Sequence, residues 1–281
     1  MQRQRLPHWL KKDIINTEKT RLVRKILRES GLNTVCDGAR CPNKGECYAN
    51  NTATFMILGN TCTRNCKFCS VNSSKPELVN PEEPFLVAKA IKELGIRYAV
   101  ITSVTRDDLK DGGAEHFALT IREIKKLNHD VKVEVLTPDF KGDKKAIDTI
   151  LEAEPDVFNH NIETVKRLYS VARPQADYQR SLKFLKYINI PTKSGLMVGL
   201  GETWEEIIEL LQDLKDAGCD IVTIGQYIQP TKSNLAVEKY YTPEEFESFK
   251  AEALKIGIKH PVSAPLVRSS YRAGEIIKHL V

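Results

Sequence analysis

Residues 98–136 decide the fold class, because a strand, a helix and a second strand follow one another there. Residues 98–102 read Tyr-Ala-Val-Ile-Thr, residues 114–127 read Ala-Glu-His-Phe-Ala-Leu-Thr-Ile-Arg-Glu-Ile-Lys-Lys-Leu, and residues 132–136 read Lys-Val-Glu-Val-Leu. The short segments are rich in β-branched residues, whereas the long one repeats apolar residues at helical spacing. A helix between two strands predicts that the strands are parallel and that the connection is right-handed.

The same alternation continues in both directions and predicts six strands with helices between them. We expect strands at Thr54–Leu58, Tyr98–Thr102, Lys132–Leu136, Asp156–Asn159, Lys193–Val198 and Ile221–Ile224. We expect helices at Pro84–Leu94, Ala114–Leu127, Lys144–Leu151, Tyr178–Tyr187 and Thr203–Ala217. Eight such units close a TIM barrel, so six predict an α/β fold of the partial (β/α)6 TIM type, with other residues covering the open side.

The segments on either side of this core are predicted to be extensions of it. Residues 1–52 form an N-terminal extension, with a helix from about residue 17 to 30 and Gly31 as its stop. Residues 53–235 form the barrel. Residues 236–281 form a C-terminal extension that contains a helix at Pro243–Ile256.

The composition indicates an ordinary soluble globular protein. Of the 281 residues 41% are hydrophobic and 28% are charged, and the net charge is +5. The positive charges are spread along the chain, which disfavours a nucleic-acid groove, although a small excess could help to capture an acidic partner. No apolar run has the length of a membrane span, and the N-terminus has no secretory signal. We expect a cytoplasmic protein that binds neither membrane nor nucleic acid.

Six of the seven cysteines lie close together in the sequence, in two groups of three with different spacing. We call them the first triad (Cys36, Cys41 and Cys47) and the second triad (Cys62, Cys66 and Cys69). Closed zinc and iron–sulfur sites take four protein ligands, so three thiolates leave one metal position for a substrate, a cofactor or an unusual ligand. Two open positions in one chain indicate chemistry rather than a structural role.

The spacing alone leaves other kinds of cysteine site open. Disulfides are typical of short secreted chains, which this chain does not resemble. Zinc is typically bound by two Cys-x2-Cys segments, or by one such segment followed by a His pair. The chain has a single Cys-x2-Cys segment and no following His pair. An iron–sulfur site fits the triads best. Cys219 stands apart, at a predicted turn between helix and strand, and is interpreted as a buried, inert thiol.

Polar residues follow each predicted strand, at the end where barrels of this type place their active sites. The second triad comes directly after the first strand and therefore belongs to the same rim. Each of the other residues is by itself a common cap or turn residue, and only their shared position singles them out. They are Ser103, Arg106, Asp107, Asp108, Thr137, Asp139, His160, Asn161, Glu163, Gly199, Glu202, Gln226, Tyr227 and Gln229.

The segment Cys62-Thr-Arg-Asn-Cys66-Lys-Phe68-Cys69 resembles the Cys-x3-Cys-x-aromatic-Cys motif of radical S-adenosylmethionine (SAM) enzymes. Gly195-Leu-Met197-Val-Gly199-Leu-Gly-Glu202 is similar to the segment that lies beside the adenine in these barrels, with Met in place of the usual Ile. The resemblance implies a [4Fe-4S] cluster on the second triad, with SAM on its open iron. It also implies a set of cofactor-binding residues. These are Phe68, Asn161, Glu163, Gly195, Met197, Gly199 and Glu202.

The first triad and the segment Arg268-Ser-Ser-Tyr271 resemble the lipoyl synthase family, and the similarity covers nearly the whole chain. The resemblance implies that Ser269, beside Arg268, is the fourth ligand of an auxiliary [4Fe-4S] cluster on Cys36, Cys41 and Cys47. That cluster would supply two sulfur atoms to C6 and C8 of a protein-bound octanoyl group.

The family also implies partners for the chain. They are octanoylated carrier domains (2-oxoacid dehydrogenase E2 subunits or the glycine cleavage H protein), an electron donor such as flavodoxin or ferredoxin, and an iron–sulfur carrier for cluster repair.

Other classes of protein share parts of this pattern. A methylthiotransferase also uses two clusters, but we would expect a separate binding domain after its barrel. A two-cluster electron carrier needs neither a six-unit barrel nor an open iron. A zinc-dependent nucleic-acid module would be expected to have a basic stripe and paired ligand motifs.

Overall fold

A computed structural model describes residues 5–13, 15–50 and 52–277 of the chain. Residues 1–4, 14 and 51 of the predicted N-terminal extension, and residues 278–281 of the C-terminal one, lie outside the described residues. The strands are β1 (Asn33–Thr34), β2 (Thr54–Ile57), β3 (Thr61–Cys62), β4 (Asn72–Ser73), β5 (Tyr98–Ser103), β6 (Lys132–Leu136), β7 (Val157–Asn159), β8 (Thr192–Val198), β9 (Ile221–Gln226) and β10 (His260–Ser263).

Helices flank the strands along the whole described chain. They are α1 (Glu18–Glu29), α2 (Val35–Gly38), α3 (Lys44–Ala49), α4 (Glu83–Leu94), α5 (Ala114–Leu127), α6 (Lys144–Leu151), α7 (Tyr169–Ala172), α8 (Tyr178–Tyr187), α9 (Trp204–Asp216), α10 (Pro243–Ile256) and α11 (Ala273–Ile277). Short 3-10 turns occur at His8–Leu10, Phe140–Gly142 and Lys166–Leu168. None of the described helices is both long enough and apolar enough to cross a membrane.

One eight-stranded sheet forms the centre of the molecule, with strand order β1-β2-β5-β6-β7-β8-β9-β10. All neighbouring pairs are parallel except β1 with β2. The six predicted strands and their helices are confirmed, with ends that differ by no more than two residues. The predicted partial barrel is therefore present, and its strands all direct their carboxyl ends to one rim.

The helices begin where the sequence offers caps and cover the sheet with one apolar face. Thr203 and Thr242 form capping boxes with Glu206 and Glu245 at the starts of α9 and α10, which satisfies backbone N–H groups there. Buried aliphatic side chains of α4, α5 and α6 pack with β2, β5 and β6 in one core, and those of α8, α9 and α10 pack with β8 and β9 in another.

The sheet is wider than the sequence predicted, because each extension contributes a strand. β10 adds a seventh parallel strand beside β9, and β1 pairs with the opposite edge. Both were missed because they are only four and two residues long, and β10 contains Pro261, which is tolerated at a sheet edge. The division of the chain at residues 52 and 235 stays a prediction, and the sheet crosses both boundaries.

The first triad lies on two short helices and the turn between them, although a segment so rich in Gly, Asn and Pro is typical of a loop. Cys36 lies in α2 and Cys47 in α3, while Cys41 lies in the turn between them. These helices have only four and six residues, too few for a periodic apolar pattern to be visible. The side chain of Thr34 accepts a hydrogen bond from the Asp37 N–H and caps α2.

Candidate active site

Both triads line one cavity of about 470 Å³ at the rim formed by the carboxyl ends of the strands. This volume lies in the range of small-molecule sites. All six triad cysteines are part of the lining, as are Arg268, Ser269, Ser270 and Tyr271. The two cysteine groups and the Arg-Ser-Ser-Tyr segment, which are far apart in the sequence, therefore meet in space.

The second triad lies on a loop that is fixed to the barrel by buried charges. Arg64, between Cys62 and Cys66, pairs with Asp107 after β5 and with Asp139 after β6, each at 2.7 Å. The Arg64 side chain is only 4% exposed and that of Asp139 is fully buried. Arg180 of α8 also pairs with Asp139 at 2.7 Å, and these cations hold the pKa of Asp139 well below its ordinary value despite its burial.

Backbone hydrogen bonds complete the attachment of this loop. The Thr63 N–H donates to the Thr105 carbonyl at 2.9 Å, and the Lys67 N–H donates to the Ala172 carbonyl at 2.9 Å. The Asn234 side chain, from the segment after β9, donates to the Cys69 carbonyl at 2.8 Å. The loop is thus tied to several neighbouring barrel units.

The loop leaves β2 through a strained turn at Leu58, which is buried and has a φ of 67°. The Leu58 N–H donates to the buried Glu83 carboxylate at 2.7 Å, and Arg106 donates to the Leu58 carbonyl at 3.3 Å. His116 contacts the same Glu83 oxygen at 2.8 Å. Because a branched residue rarely adopts a positive φ, these bonds account for the persistence of the turn that sets the direction of the loop.

The first triad lies where the two extensions meet. Asn43 donates to the Leu266 carbonyl at 2.7 Å, and Tyr271 donates to the Glu46 carboxylate at 2.6 Å. Ser70, just after the second triad, donates to the Gly38 carbonyl at 2.7 Å and joins the two cysteine-bearing segments. This triad is therefore held mainly by the C-terminal segment.

The Arg268–Tyr271 segment reaches the rim because it follows the carboxyl end of β10. The Gln226 N–H donates to the Pro265 carbonyl at 3.1 Å. Gly225 is required here, since a Cβ at this position would lie 2.1 Å from the Val267 carbonyl oxygen. Ser269 accepts a hydrogen bond from the Asn161 side chain at 3.3 Å, which links this segment to the residues after β7.

Four of the predicted cofactor-binding residues line the cavity, namely Phe68, Asn161, Glu163 and Met197. Glu163 has a φ of 70°, and its backbone pairs with β8 at Leu196. Burial raises the pKa of Glu163, while the nearby Arg173 guanidinium opposes that rise. Gly195 packs against Asn161, since a Cβ at position 195 would lie 2.8 Å from the Asn161 side-chain oxygen.

Gly199 and Glu202, predicted to bind the cofactor, are not part of the cavity lining and instead shape the turn after β8. The Glu202 carboxylate accepts N–H bonds from Gly199 at 2.5 Å and Leu200 at 2.9 Å. Gly199 has a φ of 109°, and a Cβ there would lie 2.6 Å from the Lys239 carbonyl oxygen. These residues hold the end of the strand that carries Met197.

His160 lines the cavity, but both of its ring nitrogens are engaged. Nδ1 lies 2.9 Å from the Thr137 carbonyl oxygen and Nε2 lies 3.0 Å from Ser181 Oγ. Burial lowers its pKa to about 4, so the ring is neutral at pH 7 and orients its neighbours. Cys219 lies outside the lining, where burial raises its pKa to about 12, as expected for an inert thiol.

Arg173 is the principal cavity residue for which the sequence motifs predict no role. It is 8% exposed, donates to the Asn161 carbonyl at 3.0 Å, and lies beside the Cys66 thiol. Its Nε and the Asn161 side-chain oxygen are buried with no partner among the described residues. Buried groups of this kind are rarely left unsatisfied, so the cavity suits a polar ligand such as the amino acid end of SAM. No spacing rule identifies Arg173, because it lies far in the sequence from both triads.

The thiols fit iron–sulfur clusters better than they fit single metal ions. In the part of the chain that the structure describes, no group of three or more His, Cys, Asp or Glu is close enough to hold one ion, whereas a cluster binds each thiolate at a different iron. Cys62 Sγ accepts N–H bonds from Arg64 and Thr105, and Cys69 Sγ accepts one from Val71, at 3.3 to 3.4 Å. Such N–H donors tune the reduction potential of a cluster bound by these thiolates.

Burial raises the pKa of four of the triad thiols, those of Cys36, Cys47, Cys66 and Cys69. The pKa is about 12 for Cys36 and Cys69 and about 11 for Cys47. These groups are neutral thiols unless a bound cation stabilises the thiolate form, which iron does on binding. All seven cysteines are free and none forms a disulfide, so the triad thiols remain available as ligands.

Comparisons with known proteins agree with this site. The model of the radical SAM superfamily matches residues 56–214, more than half of the chain. Lipoyl synthase of Caldanaerobacter subterraneus subsp. tengcongensis is 56% identical over 274 residues, which cover 96% of each chain. Lipoyl synthase of Caldicellulosiruptor saccharolyticus is 53% identical over 283 residues, which cover 99% of each chain.

Solved structures share the fold at low sequence identity. Methylornithine synthase superimposes with a TM-score of 0.56 at 14% identity, covering 88% of this chain and 75% of its own. HydG, a maturase of the [FeFe]-hydrogenase, gives 0.53 at 13% identity, covering 89% and 72%. With the cavity and its two triads, the sequence relatives identify the chain as an enzyme that belongs to the lipoyl synthase family of the radical SAM superfamily.

Proposed function

We propose that the cavity holds an octanoyl chain, attached to a lysine of a carrier domain, between the two triads while sulfur is inserted at C6 and C8. One observation carries the proposal: both triads and Ser269 line the same cavity of about 470 Å³. The lining also includes aliphatic and thioether side chains that suit an acyl chain, among them Met56, Val104, Leu136 and Ile228.

The donor sets assign a separate role to each triad. Cys62, Cys66 and Cys69 would hold one [4Fe-4S] cluster beside SAM. Cys36, Cys41, Cys47 and Ser269 would hold the auxiliary [4Fe-4S] cluster. When bound, the first of these groups supplies reducing power for the cleavage of SAM, and the auxiliary cluster supplies sulfur.

Ser269 needs an environment that favours its ionised form if its oxygen is to bind iron. Asn161 donates to this oxygen at 3.3 Å, which supports negative charge on it and leaves the hydroxyl proton free to depart. The Arg268 guanidinium beside Cys41 adds positive charge to the same corner of the cavity. A serine oxygen is a harder ligand than thiolate and therefore a weaker partner for this iron, which suits a cluster that is taken apart.

The residues around the second triad position the cofactor and keep water away. Arg173 and Asn161 have free hydrogen-bonding atoms for the polar end of SAM, and Glu163 lies beside them. Phe68 and Met197 present apolar surface to the same space. Close packing and exclusion of water hold reacting groups in place and prevent side reactions. Gly195, Gly199 and Glu202 would act by shaping the backbone behind these residues.

The partners follow from the substrate and the cofactors. Octanoylated carrier domains, such as 2-oxoacid dehydrogenase E2 subunits or the glycine cleavage H protein, would present the acyl-lysine at the rim. A flavodoxin or ferredoxin would supply electrons, and an iron–sulfur carrier would restore the auxiliary cluster. A reducing cytoplasm suits the free triad thiols.

Mass spectrometry of an octanoylated carrier domain tests the proposal. The anaerobically loaded enzyme, SAM and a reductant should convert the octanoyl group to a dithiol product that has gained two sulfur atoms, and oxidation of this dithiol to the dithiolane should remove two hydrogens. SAM cleavage without any sulfur in the product would contradict the proposed function.

A further inference from the structure

Carboxylates are engaged in ion pairs along the triad segments that line the cavity. Asp37 accepts a bond from Lys44 at 2.7 Å. Glu46 accepts one from Arg272 at 3.0 Å and also pairs with Lys12. The neighbouring rim carboxylates of Asp107 and Asp139 are held by Arg64. Little negative charge is therefore left unpaired beside the triads.

Three exposed cations around the same cavity have no ionic partner among the described residues. Arg40 is exposed and itself lines the cavity, one residue before Cys41. Lys67 is exposed between Cys66 and Phe68, both of which line the cavity. Lys232 is exposed two residues after Pro230, which also lines it. We call these three residues the cationic rim.

Hydrogen bonds join the segment that carries Lys67 to the segment that carries Lys232. The Lys67 carbonyl accepts bonds from the Leu235 N–H at 3.0 Å and from the Asn234 side chain at 3.2 Å. The segment that carries Lys232 is therefore fastened to the loop that carries Lys67. Both lysines therefore belong to joined segments that line the cavity, and Arg40 belongs to the segment of the first triad.

The conformation of Arg40 is set by the end of α2. Its φ of 50° lies in the left-handed region, which commonly ends a helix. The Arg40 N–H donates to the Asp37 carbonyl and the Cys41 N–H donates to the Cys36 carbonyl, each at 3.1 Å, and these bonds offset the cost of the left-handed backbone. The turn holds Arg40 directly before Cys41 at the edge of the cavity.

We propose that Arg40, Lys67 and Lys232 dock acidic side chains of the carrier domain that surround its acyl-lysine. This inference rests on the proposed function, because it assumes that the acyl chain arrives on a folded protein. Unpaired cations at the rim of a site attract a complementary acidic surface over a distance of about 10 Å and orient the encounter. The acyl-lysine would then enter the cavity between the residues of the cationic rim.

The test compares an octanoylated glycine cleavage H protein with a short octanoyl-lysine peptide of neutral sequence. The double variant K67E/K232E should raise KM for the carrier about tenfold relative to KM for the peptide. The same variant should weaken the salt dependence of carrier turnover, since fewer charges then attract it. Arg40→Gln should shift the ratio of the two KM values in the same direction by a smaller factor.

The control variant K92E/K183E carries the same change in charge on the outer faces of α4 and α8 and should keep the wild-type ratio. Both lysines are exposed and have no ionic partner among the described residues. An equal rise of KM for both substrates, or an equal effect of the control, would overturn the docking proposal. Failure of the wild-type enzyme to modify even the peptide would instead count against the proposed function, so the two failures are distinguishable.

Discussion

The two triads face the same cavity but are attached to the molecule in different ways. The second triad is bound to the barrel through Arg64 and Asp139, whose side chains are 4% and 0% exposed. The first triad is joined to both extensions through Glu46, whose carboxylate meets Lys12, Tyr271 and Arg272. Side-chain exposure there is 22% for Glu46 and 56% for Arg272.

This difference matches what each site is proposed to do. A buried ion-pair network is costly to break, because removing one partner leaves an uncompensated charge. Partly exposed ion pairs contribute little to the free energy of unfolding, because water competes readily for their charged groups. The barrel-bound triad therefore suits a cluster that is kept through each reaction, and the triad between the extensions suits a cluster that is dismantled and rebuilt.

Cys66→Ala should have the largest effect, because it removes a ligand on which the cleavage of SAM depends. Changes to groups that only support a ligand already cost 10- to 100-fold, so both 5′-deoxyadenosine and sulfur insertion should fall by more than about 100-fold. Iron should drop from about eight to about four atoms per chain. Cys219→Ala is the matched control and should leave iron and both products at wild-type values, since Cys219 is buried outside the cavity.

Ser269→Ala should separate the role of the first triad in sulfur insertion from the role of the second triad in SAM cleavage. Sulfur insertion should fall by more than about 100-fold while 5′-deoxyadenosine is still formed, because only the auxiliary cluster loses a ligand. Ser270→Ala is the neighbouring control; its hydroxyl also lines the cavity but is given no ligand role, and it should retain more sulfur insertion. Equal loss of both products in Ser269→Ala would contradict its assignment to the first triad.

Asp139→Asn should weaken the attachment of the second triad. It removes the carboxylate shared by Arg64 and Arg180 and should lower the free energy of unfolding by about 3 kcal/mol. Because the pKa of Asp139 is lowered in the folded state, this stabilisation is present above the ordinary pKa of 3.8 and is lost as the pH falls below it. Thermal unfolding at several pH values measures both effects. Asp108→Asn changes a 40% exposed rim aspartate and should cost less than about 1 kcal/mol.

Glu46→Gln should have the smallest effect on stability, about 1 kcal/mol, because Glu46 and its partners are partly exposed to water, from 22% for Glu46 to 56% for Arg272. Ion pairs and hydrogen bonds lower the pKa of Glu46 to about 2, so this contribution is complete above pH 4.5 and is lost as the pH falls toward 2. An iron chelator should remove iron from the first triad faster than in wild type. Glu252→Gln, a surface control paired only with Lys255, should leave that rate unchanged.

The sequence was sufficient for the regular part of the fold and for finding the two cysteine triads. Long helices such as α5 and buried strands such as β6 show their period over enough residues to be bounded correctly. The triads are visible because the spacing of cysteines along a short segment is local information. The approach of Ser269 to the first triad was only implied by family resemblance, since it depends on β10, a four-residue strand with a proline.

Other parts of the site depend on contacts between distant segments and could not be read locally. Arg173 approaches Cys66 only because the segment after β7 folds back over the second triad. The left-handed turns at Leu58 and Arg40 give no signal in residue type, since neither is Gly or Asn. Gly199 and Glu202 matched a motif, but tertiary packing puts them behind the strand end rather than at the cavity surface.

A crystal structure of the anaerobically purified protein with SAM would show whether both triads hold clusters at one cavity. We expect two [4Fe-4S] clusters facing that cavity, one on each triad, with Ser269 Oγ bound to the cluster on Cys36, Cys41 and Cys47. A single cluster, or two clusters separated by protein so that one acyl chain could not contact both, would contradict this expectation.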